Sequence, residues 1–375
     1  MDTAQISSQK PEAPSTPAST PLAESERVLT SRRIELSDPA EAVEFFYQQG
    51  WTDGLPIVPP TPEKVCEFLE YAGKLPNDIL GMIPARNRVI TAEKVAINAV
   101  MAGCLASYMP IIVTAIEAMC QEEFNLHGIS ATTGGTAPLL IVNGPIALQL
   151  NINSGVNCFG PGFRSNATIG RAIRLILLNV AGSIPGVLDK ACLGHPGKYS
   201  YCIAEDEAGN PWGPLSVDRG IPPDPDISAV TVFAGESPHF VNNQAGGSGE
   251  RITGSIVNTM MGTLYRGGNW VLVLCPEHVM IFKQEGWTKA QIREAIHTRA
   301  VRSLADFKRL NGLPDSAIQP EDEKTIQRNI DTPDDLLIVT AGGKAGGFSA
   351  VIPPWAAGAD SRPVTRAIGV CIDCD

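Results

Sequence analysis

The chain has 375 residues and a net charge of −11, and apolar residues make up 43% of it. That length predicts one large domain or two coupled domains with a sizeable core. The acidic balance, without a cluster of Lys and Arg, excludes nucleic acids and anionic membranes as partners. No stretch reaches about 18 uninterrupted apolar residues, and no basic segment precedes an apolar one at the N-terminus. Neither a transmembrane helix nor a secretory signal is therefore predicted.

Residue usage narrows the class further. The nine cysteines are an odd number spread along the chain. This is not the pattern of a disulfide framework, and it indicates a reducing, cytoplasmic environment. Charged residues make up only 18%, whereas Gly (36) and Pro (30) are abundant. These values favour tight loops on an α/β frame and a surface that is partly covered in a homo-oligomer.

The first part of the chain is predicted to be helical. Residues 1–30 are rich in Ser, Thr, Pro and Ala, which predicts a disordered tail before a folded body at 31–370. Residues 51–60 contain three prolines and are expected to form an extended loop. Proline, glycine and capping positions around this loop predict helices at Asp38–Gln49, Thr61–Gly73, Ala92–Ser107 and Ile111–Glu122.

Strands alternate with helices in the rest of the chain. Short apolar runs predict strands at Pro138–Val142, Tyr199–Ala204, Val230–Ala234, Trp270–Cys275, Leu336–Thr340 and Phe348–Ile352, with helices at Asn166–Ala181 and Glu277–Glu285. A capping box at Thr288 and Gln291 predicts a long helix that reaches Leu310. The alternation predicts a mixed or parallel sheet flanked by helices, in one body or in two lobes at about 31–215 and 216–370. No internal repeat is apparent.

The C-terminal segment 371–375 is the strongest sequence candidate for chemistry. Cys371 and Cys374 have the spacing that can close a redox disulfide or bind a soft metal. The acidic neighbours Asp373 and Asp375 are candidate proton donors or hard metal ligands. The alternative is a frayed terminus with two incidental cysteines. No sequence motif indicates a cofactor.

A loop rich in Asn, Gly and Ser leads into a predicted helix start, where backbone N–H groups favour an anion. It matches neither a Walker loop nor a dinucleotide fingerprint, so nucleotide binding is not predicted. Cys158 lies in this loop as a candidate thiol. Ordinary turn and capping chemistry is the alternative interpretation. The side chains expected to hold a carboxylate or phosphate of a substrate are Asn153, Ser154, Asn157, Arg164, Asn166 and Thr168.

Loop histidines and strand-end carboxylates form another candidate group. His127 and His195 lie in glycine-bounded loops and are acid–base candidates, and Lys198 is a substrate-binding candidate beside His195. Glu205 and Asp206 follow a predicted strand, where open α/β sheets tend to bind ligands. Structural hydrogen bonds of the histidines and a solvated acidic turn are the alternatives.

Weaker signals lie nearer the C-terminus. The run Pro276-Glu277-His278 follows a strand, but acidic residues are ordinary in a first helical turn. The glycine-rich run 341–349 either lets a ligand approach closely, with Lys344 as a cation, or forms a plain hairpin between two strands. The cysteines expected to be small core residues are Cys104, Cys120 and Cys192.

Several longer stretches carry a family resemblance. They include WTDGLPIVPPTPEKV, EKVAINAVMAGC, NSGVNCFGPGFRSNATIGRA, LGHPGKYSYCIAEDE, CPEHVMIFKQEGWTKAQIREAI and LLIVTAGGKAGGFSAVIP, and together they cover most of residues 45–370. Their combination resembles an uncharacterised bacterial family often encoded beside small proteins with a Sec/Cys-Gly-Ser-Cys (UGSC) motif. No activity comes with this resemblance. It implies thiol- or selenol-dependent chemistry and a small thiol or selenol protein as a partner.

Three functions fit the sequence. The leading one is a thiol-dependent enzyme, an oxidoreductase or reductive lyase, that acts on a small anionic substrate with Cys371 and Cys374 as its redox or nucleophilic dithiol. The second is a redox-neutral lyase or hydratase that uses a loop histidine with Glu205 or Asp206. The third is a metal-binding or electron-relay subunit that has no turnover alone, with the terminal cysteines as its soft-metal ligands.

Overall fold

The computed structural model describes residues 28–36, 38–358 and 360–369. Its α-helices are α1 (Pro39–Gln48), α2 (Pro62–Tyr71), α3 (Ala92–Ala102), α4 (Met109–Met119), α5 (Leu126–Ile129), α6 (Pro145–Gln149), α7 (Arg164–Asn179), α8 (Leu215–Asp218), α9 (Gly249–Gly262), α10 (Pro276–Gln284), α11 (Lys289–Arg299) and α12 (Leu304–Leu310). None of the helices in these ranges is long and apolar enough to cross a bilayer.

The strands connect these helices into mixed sheets. They are β1 (Ile79–Ile83), β2 (Arg88–Thr91), β3 (Ala137–Asn143), β4 (Cys202–Ala204), β5 (Ala229–Gly235), β6 (His239–Asn242), β7 (Trp270–Leu274), β8 (Val301–Ser303), β9 (Ile326–Arg328), β10 (Leu336–Thr340), β11 (Phe348–Ile352) and β12 (Val364–Ala367). Mixed sheets flanked by helices make this an α/β protein, and the predicted fold class is confirmed.

Two four-stranded sheets form the centre of the fold. Sheet A has the strand order β12-β5-β3-β4, and sheet B has the order β10-β7-β11-β6. Each sheet has one parallel pair, β3 with β4 and β10 with β7. The other neighbours within the two sheets are antiparallel. Two short antiparallel ladders, β1 with β2 and β8 with β9, lie outside these sheets.

The two sheets pack face to face between outer layers of helices. Successive side chains of a strand point to opposite faces, and in β3 and β7 both faces are buried. Leu139 of β3 and Val271 of β7 share the apolar core between the sheets. Leu140 belongs to the core that sheet A forms with α3, α4 and α7. Leu272 belongs to the core that sheet B forms with α9, α10 and α11. The result is a four-layer α–β–β–α sandwich.

The chain builds both sheets along the same path. In sheet A, helices follow β3, then β4 pairs parallel to β3, and β5 pairs antiparallel on the other side of β3. In sheet B, β7, β10 and β11 take the places of β3, β4 and β5. The fourth strand is exchanged, because β6 pairs with β11 in sheet B and β12 pairs with β5 in sheet A. The fold is therefore an internal repeat with exchanged strands, although no repeat is apparent in the sequence.

Backbone hydrogen bonds define which residues of the two halves correspond. The N–H of Glu205 donates to the carbonyl of Val142, and the N–H of Ala341 donates to the carbonyl of Leu274. These bonds occupy the same place at the end of each parallel pair. Val142 therefore corresponds to Leu274, and the next residues, Asn143 and Cys275, are also equivalent.

The antiparallel strands support the same correspondence. Leu140 pairs with Val232, and Leu272, which corresponds to Leu140, pairs with Val351. Gly235 lies three residues after Val232, and Pro354 lies three residues after Val351. Gly235 and Pro354 pair with each other. Two equivalent residues that pair with each other mark a pseudo-twofold axis between the halves.

The folded part begins before Ser31. The Thr30 side chain and the backbone N–H groups of Thr30 and Ser31 donate to the buried carboxylate of Glu93 at 2.7–3.1 Å. Thr30 is thus held in place by α3, although the sequence predicts that the tail extends through residue 30. Residues 1–27 lie outside the described residues.

The long helix predicted from Thr288 to Leu310 is wrong. The capping box at its start is present, but α11 ends at Arg299. β8 follows and pairs with β9, and α12 begins at Leu304. Ser303 caps the new helix by accepting the N–H of Asp306 at 3.0 Å. The backbone groups of residues 300–306 therefore find their hydrogen-bond partners in strand pairing and in this cap, and a continuous helix is not needed to satisfy them.

Candidate active site at Cys275

In the second half of the repeat, a cysteine follows the end of the first strand. β7 is buried along its whole length, and Cys275 follows it directly as the N-cap of α10. Pro276 occupies the first helical position, where an N–H would lack a partner in any case. Cys275 is only 4% exposed. Its thiol therefore lies inside the protein at the N-terminus of a nine-residue helix.

A histidine and a serine lie beside this cysteine. The Oγ of Ser349 accepts the backbone N–H of Cys275 at 3.1 Å and lies 2.7 Å from Nδ1 of His278. The Nε2 of His278 lies 3.2 Å from the carbonyl oxygen of Asn243. Because a carbonyl only accepts, Nε2 carries the proton, and in the neutral ring Nδ1 accepts from the Ser349 hydroxyl. Ser349 thus connects the backbone at Cys275 to an imidazole of fixed tautomer.

The charged forms of Cys275 and His278 stabilise each other. Burial raises the pKa of the Cys275 thiol, but the ring and backbone N–H of His278 and the hydroxyl of Ser349 outweigh burial and lower this pKa below its usual value. Burial lowers the pKa of His278, but Cys275, the Asn243 carbonyl and Glu277 outweigh it and raise this pKa. Opposite shifts in a neighbouring thiol and imidazole are typical of a nucleophilic thiolate–imidazolium pair.

A glycine-rich loop lies against Cys275. Gly342, which follows β10, lies next to Cys275, and a Cβ built on Gly342 would lie 3.8 Å from the Cβ of Cys275. The carboxylate of Glu277 accepts the N–H of Gly346 at 2.7 Å and also that of Gly347. The loop is therefore tied to the first turn of the helix that begins after Cys275.

Three residues predicted for the site lie at this edge of the sheets. The carbonyl of Ser154 accepts the N–H of Gly342 at 2.8 Å, and Asn153 directly precedes Ser154. The N–H of Asp206 donates to the last carbonyl of β10 at 2.7 Å. The structure therefore brings the start of the Asn-rich loop and Asp206 close to Cys275.

The other polar side chains of the Asn-rich loop have partners within the protein. Arg164 donates to the carbonyls of Gly103 and Cys104 at the C-terminus of α3, at 2.9–3.4 Å. The amide of Asn166 bonds both the N–H and the carbonyl of Asn153 at 2.8–2.9 Å. Asn157 and Thr168 likewise donate to backbone carbonyls, those of Pro161 and Arg164. These groups join the loop to neighbouring helices, and the structure does not direct them to a common ligand.

The cysteines predicted for catalysis are placed as follows. Cys158 is buried in the core between the sheets, and burial raises the pKa of its thiol to about 11. A thiol with a raised pKa in an apolar core is poorly suited to nucleophilic attack. Cys371 and Cys374 lie outside the described residues.

Glu205 lies in a buried hydrogen-bond network. Its carboxylate accepts from the Asn143 amide and the Leu215 N–H, both at 2.7 Å, and from the Asn210 amide at 2.8 Å. Burial raises the pKa of Glu205, and the nearby charge of Lys289 opposes this effect without cancelling it. Glu205 therefore joins the ends of β3 and β4 to α8.

The two predicted histidines lie in different places. His127 is exposed, and its Nδ1 accepts from Nε of Arg86 at 3.0 Å. His195 lies before β4, whereas Glu205 follows the other end of this strand, so the structure does not bring these two residues together.

His195 belongs to a separate polar cluster. Lys198 donates to both carboxylate oxygens of Asp189 at 2.7–2.8 Å, beside a cavity of about 20 Å³ that holds about one water molecule. Nδ1 of His195 accepts the N–H of Gly197 at 3.1 Å. Nε2 is buried and faces the backbone of Gly235, outside the distance and angle of an ordinary hydrogen bond. Burial lowers the pKa of His195 to about 4. A neutral ring that donates through Nε2 is the form that this cluster favours.

No group of three His, Cys, Asp or Glu side chains within residues 28–36, 38–358 and 360–369 is arranged to hold a metal ion. The soft-metal ligands predicted from the sequence, Cys371 and Cys374, fall outside these ranges. Metal binding by the terminal cysteines stays a prediction.

The group formed by Cys275, His278 and Ser349 is not predicted from the sequence. Ser349 is 74 residues from Cys275 and on another strand, so no local motif contains both. The available signal is a cysteine directly after a buried apolar run, followed by proline and, at the third position, histidine. Proline predicts a helix start there, which places the cysteine and histidine in the same first turn.

Comparison with known proteins adds no constraint to this site. No family model, no curated protein and no solved structure matches the chain. The geometry and chemistry of the chain itself are the basis for its function below.

Proposed function

We propose that the protein is a thiol-dependent enzyme whose nucleophile is Cys275. The observation that carries the proposal is the cluster of Cys275, Ser349 and His278, in which Ser349 bonds both the backbone N–H of Cys275 and the His278 ring, and Asn243 fixes the histidine tautomer. Nucleophile, base and orienting group are the three parts that activate a thiol or hydroxyl in unrelated enzymes. The lowered pKa of Cys275 and the raised pKa of His278 support the same roles.

The hydrogen bonding of the Cys275 thiol with His278 and Ser349 supplies a route for the thiol proton. In the resting site the Ser349 hydroxyl donates to Nδ1 of His278. The Sγ–H of Cys275 gives its proton to Ser349 as Ser349 gives its own to Nδ1. The products are a thiolate and an imidazolium, with the Ser349 hydroxyl now turned toward the thiolate. The Asn243 carbonyl keeps Nε2 protonated throughout, so that Nδ1 is the nitrogen that titrates.

The thiolate then attacks an electrophilic carbon or sulfur of the substrate. A bond from Sγ to that atom forms, and the bond to the leaving group breaks with its electron pair. The imidazolium of His278 returns the proton to the leaving group. Water releases an acyl adduct, a thioester, by hydrolysis to the acid and the thiol, and a second thiol releases a sulfur adduct as a new disulfide. The terminal pair Cys371 and Cys374, or a small thiol or selenol protein, is our proposed source of that thiol.

We also propose that the substrate is a small anion. The thiol lies at the N-terminus of α10, where the helix dipole favours negative charge, and beside an imidazole that becomes cationic during the reaction. Negative charge on the substrate is thus stabilised where the thiolate attacks.

Adduct formation at a single cysteine tests the proposal. The full chain is incubated with small carboxylates that carry a thioester, a disulfide or an α-halo group. Peptide mapping by mass spectrometry should find the adduct on Cys275, with release of one leaving group per site. Cys275→Ser should abolish this release, and Cys158→Ser, a matched change of another buried thiol, should retain it. Equal release by Cys275→Ser and the unchanged protein would refute the role of Cys275.

A second candidate, a redox-neutral lyase or hydratase, is favoured by the cluster around His195. Its neutral imidazole lies near the carbonyl of Gly235 and the charge of Lys198, and Lys198 also acts on the carboxylate of Glu236. A neutral imidazole that donates a hydrogen bond can polarise a carbonyl. Hydration of an unsaturated carboxylate that survives in Cys275→Ser and is lost in His195→Gln would favour this candidate over the thiol.

A further inference from the structure

We propose that residues 342–346 form a lid over Cys275, that Glu277 is its latch, and that Lys344 on the lid selects anionic substrates. This inference rests on the proposed role of Cys275 as nucleophile. The starting point is access to the nucleophile. Cys275 is only 4% exposed and Gly342 packs against it, so a substrate reaches this residue only when a neighbouring segment moves.

Both ends of the lid are fixed by the body of the protein. At one end, the N–H of Ala341 donates to the carbonyl of Leu274 at 3.1 Å. At the other end, the carbonyl of Gly347 accepts the N–H of Asn243 at 3.0 Å. A side chain at Gly347 would lie 2.7 Å from the Cα of Gln244, so only glycine fits there. Movement is thus confined to the residues between these anchors.

The segment between the anchors is suited to hinge motion. Gly342 and Gly346 both have positive φ, 120° and 129°, which residues with a Cβ rarely adopt. Lys344 and Ala345 between them are exposed. Rotation at the two glycines would therefore move the segment with little packing to disrupt.

Few contacts hold the lid closed. Gly342 donates to the carbonyl of Ser154, and Glu277 accepts the N–H groups of Gly346 and Gly347. A carboxylate that accepts two backbone N–H groups makes charge-assisted bonds, the stronger kind. Glu277 is therefore the principal latch, and it lies two residues after the thiol that the lid covers.

Lys344 gives the lid a chemical preference. It is exposed on the segment that closes over the thiol, and no ion pair holds it among the described residues. A cation carried to the entrance of a site raises the local concentration of anions. Small anionic electrophiles should consequently react faster at Cys275 than neutral ones of the same size.

Alkylation of Cys275 by iodoacetamide, read by peptide mapping of the full chain, tests the latch. Glu277→Gln removes the charge but keeps an acceptor oxygen, whereas Glu277→Ala removes both. We expect Glu277→Ala to react at least about tenfold faster than Glu277→Gln, since opening becomes easier by about one hydrogen bond. Equal rates in the two variants, or an unreactive Cys275 in both, would overturn the lid.

Iodoacetate and iodoacetamide differ in charge, and the ratio of their rates at Cys275 tests Lys344. Lys344→Ala should lower this ratio severalfold, and Lys324→Ala, an exposed lysine far along the chain, should leave it unchanged. Equal ratios in both variants would remove Lys344 from the proposal.

The pH profile of alkylation in the Glu277→Ala protein distinguishes failure of the lid from failure of Cys275 as an activated nucleophile. Fast alkylation with a midpoint at or above the 9.0 of an ordinary thiol would keep the lid and refute the activated nucleophile.

Discussion

The first half of the repeat places Asn143 at the end of β3, and the second half places Cys275 at the equivalent end of β7. Asn143 donates to Glu205 at 2.7 Å and to Glu207 at 2.8 Å, so this edge is filled by a buried polar network. In the second half, Ala341 takes the place of Glu205, and a glycine-rich loop follows it. The same backbone path thus supports a structural network at one edge and a buried thiol at the other.

The difference indicates how stability and reactivity are divided between the halves. Glu205 uses its carboxylate to join strand ends and α8, which leaves it no free position for a substrate. Cys275 instead interacts with His278 and Ser349, and these two residues stabilise its thiolate, the reactive form. We therefore expect changes at the first edge to reduce stability, and changes at the second to reduce reactivity.

The largest expected effect is on the first edge. Glu205→Ala would leave the amides of Asn143 and Asn210 and the N–H of Leu215 without their acceptor. Buried donors without a partner are costly, so the free energy of unfolding should fall by about 3–5 kcal/mol. Cys275→Ser should change it by less than about 1 kcal/mol. Denaturant titration of both variants checks this contrast, which fails if the two losses are similar.

The next effect concerns the predicted anion-binding arginine. Arg164→Ala removes the bonds to the last carbonyls of α3 and should lower the free energy of unfolding by about 1–2 kcal/mol. Arg366→Ala is the control, since Arg366 is exposed and has only a 3.7 Å ion pair, worth at most about 1 kcal/mol. Equal stability of Arg164→Ala and the unchanged protein would contradict the structural role and restore substrate binding as the better interpretation.

The smallest expected effect is a pH dependence outside both edges. Folding lowers the pKa of His195 from 6.5 to about 4, so the unfolded chain binds this proton more tightly. The contribution of His195 to stability is complete above about pH 6.5 and decreases as the pH falls toward 4. His195→Gln should therefore lose less unfolding free energy over that interval than the unchanged protein. His297→Gln serves as a control, and an identical pH dependence in all three proteins would contradict the burial of a neutral imidazole.

Much of the fold could be predicted from the sequence because its signals are local. Apolar runs gave the principal strands of both sheets, and caps and prolines gave helix starts such as Pro62 and the turn at Thr288. Helix ends were less accurate. The helix predicted to reach Ser107 stops at Ala102, because Gly103 adopts a left-handed conformation and ends it.

The repeat and the site depend on contacts that sequence patterns do not contain. The equivalent strands β3 and β7 are both apolar but differ residue by residue, and exchange of β6 and β12 separates each half from its own last strand. The site likewise joins Cys275, which follows β7, to Ser349 of β11. Polar loop residues such as Arg164 and Asn166 have compositions typical of ligand binding, but only the fold reveals that backbone groups are their partners.

The most direct test of the central claim is the pH profile of Cys275 alkylation in the unchanged protein, Ser349→Ala and His278→Gln. The rate is followed at Cys275 by peptide mapping. Cys192, which is exposed although the sequence predicts it in the core, serves as an internal reference for reagent and unfolding. The unchanged protein should show a midpoint below the 9.0 of an ordinary thiol, because His278 and Ser349 stabilise the thiolate. Both variants should move this midpoint upward, His278→Gln by more than Ser349→Ala. A midpoint at or above 9.0 in the unchanged protein, or one that neither variant moves, would contradict the account.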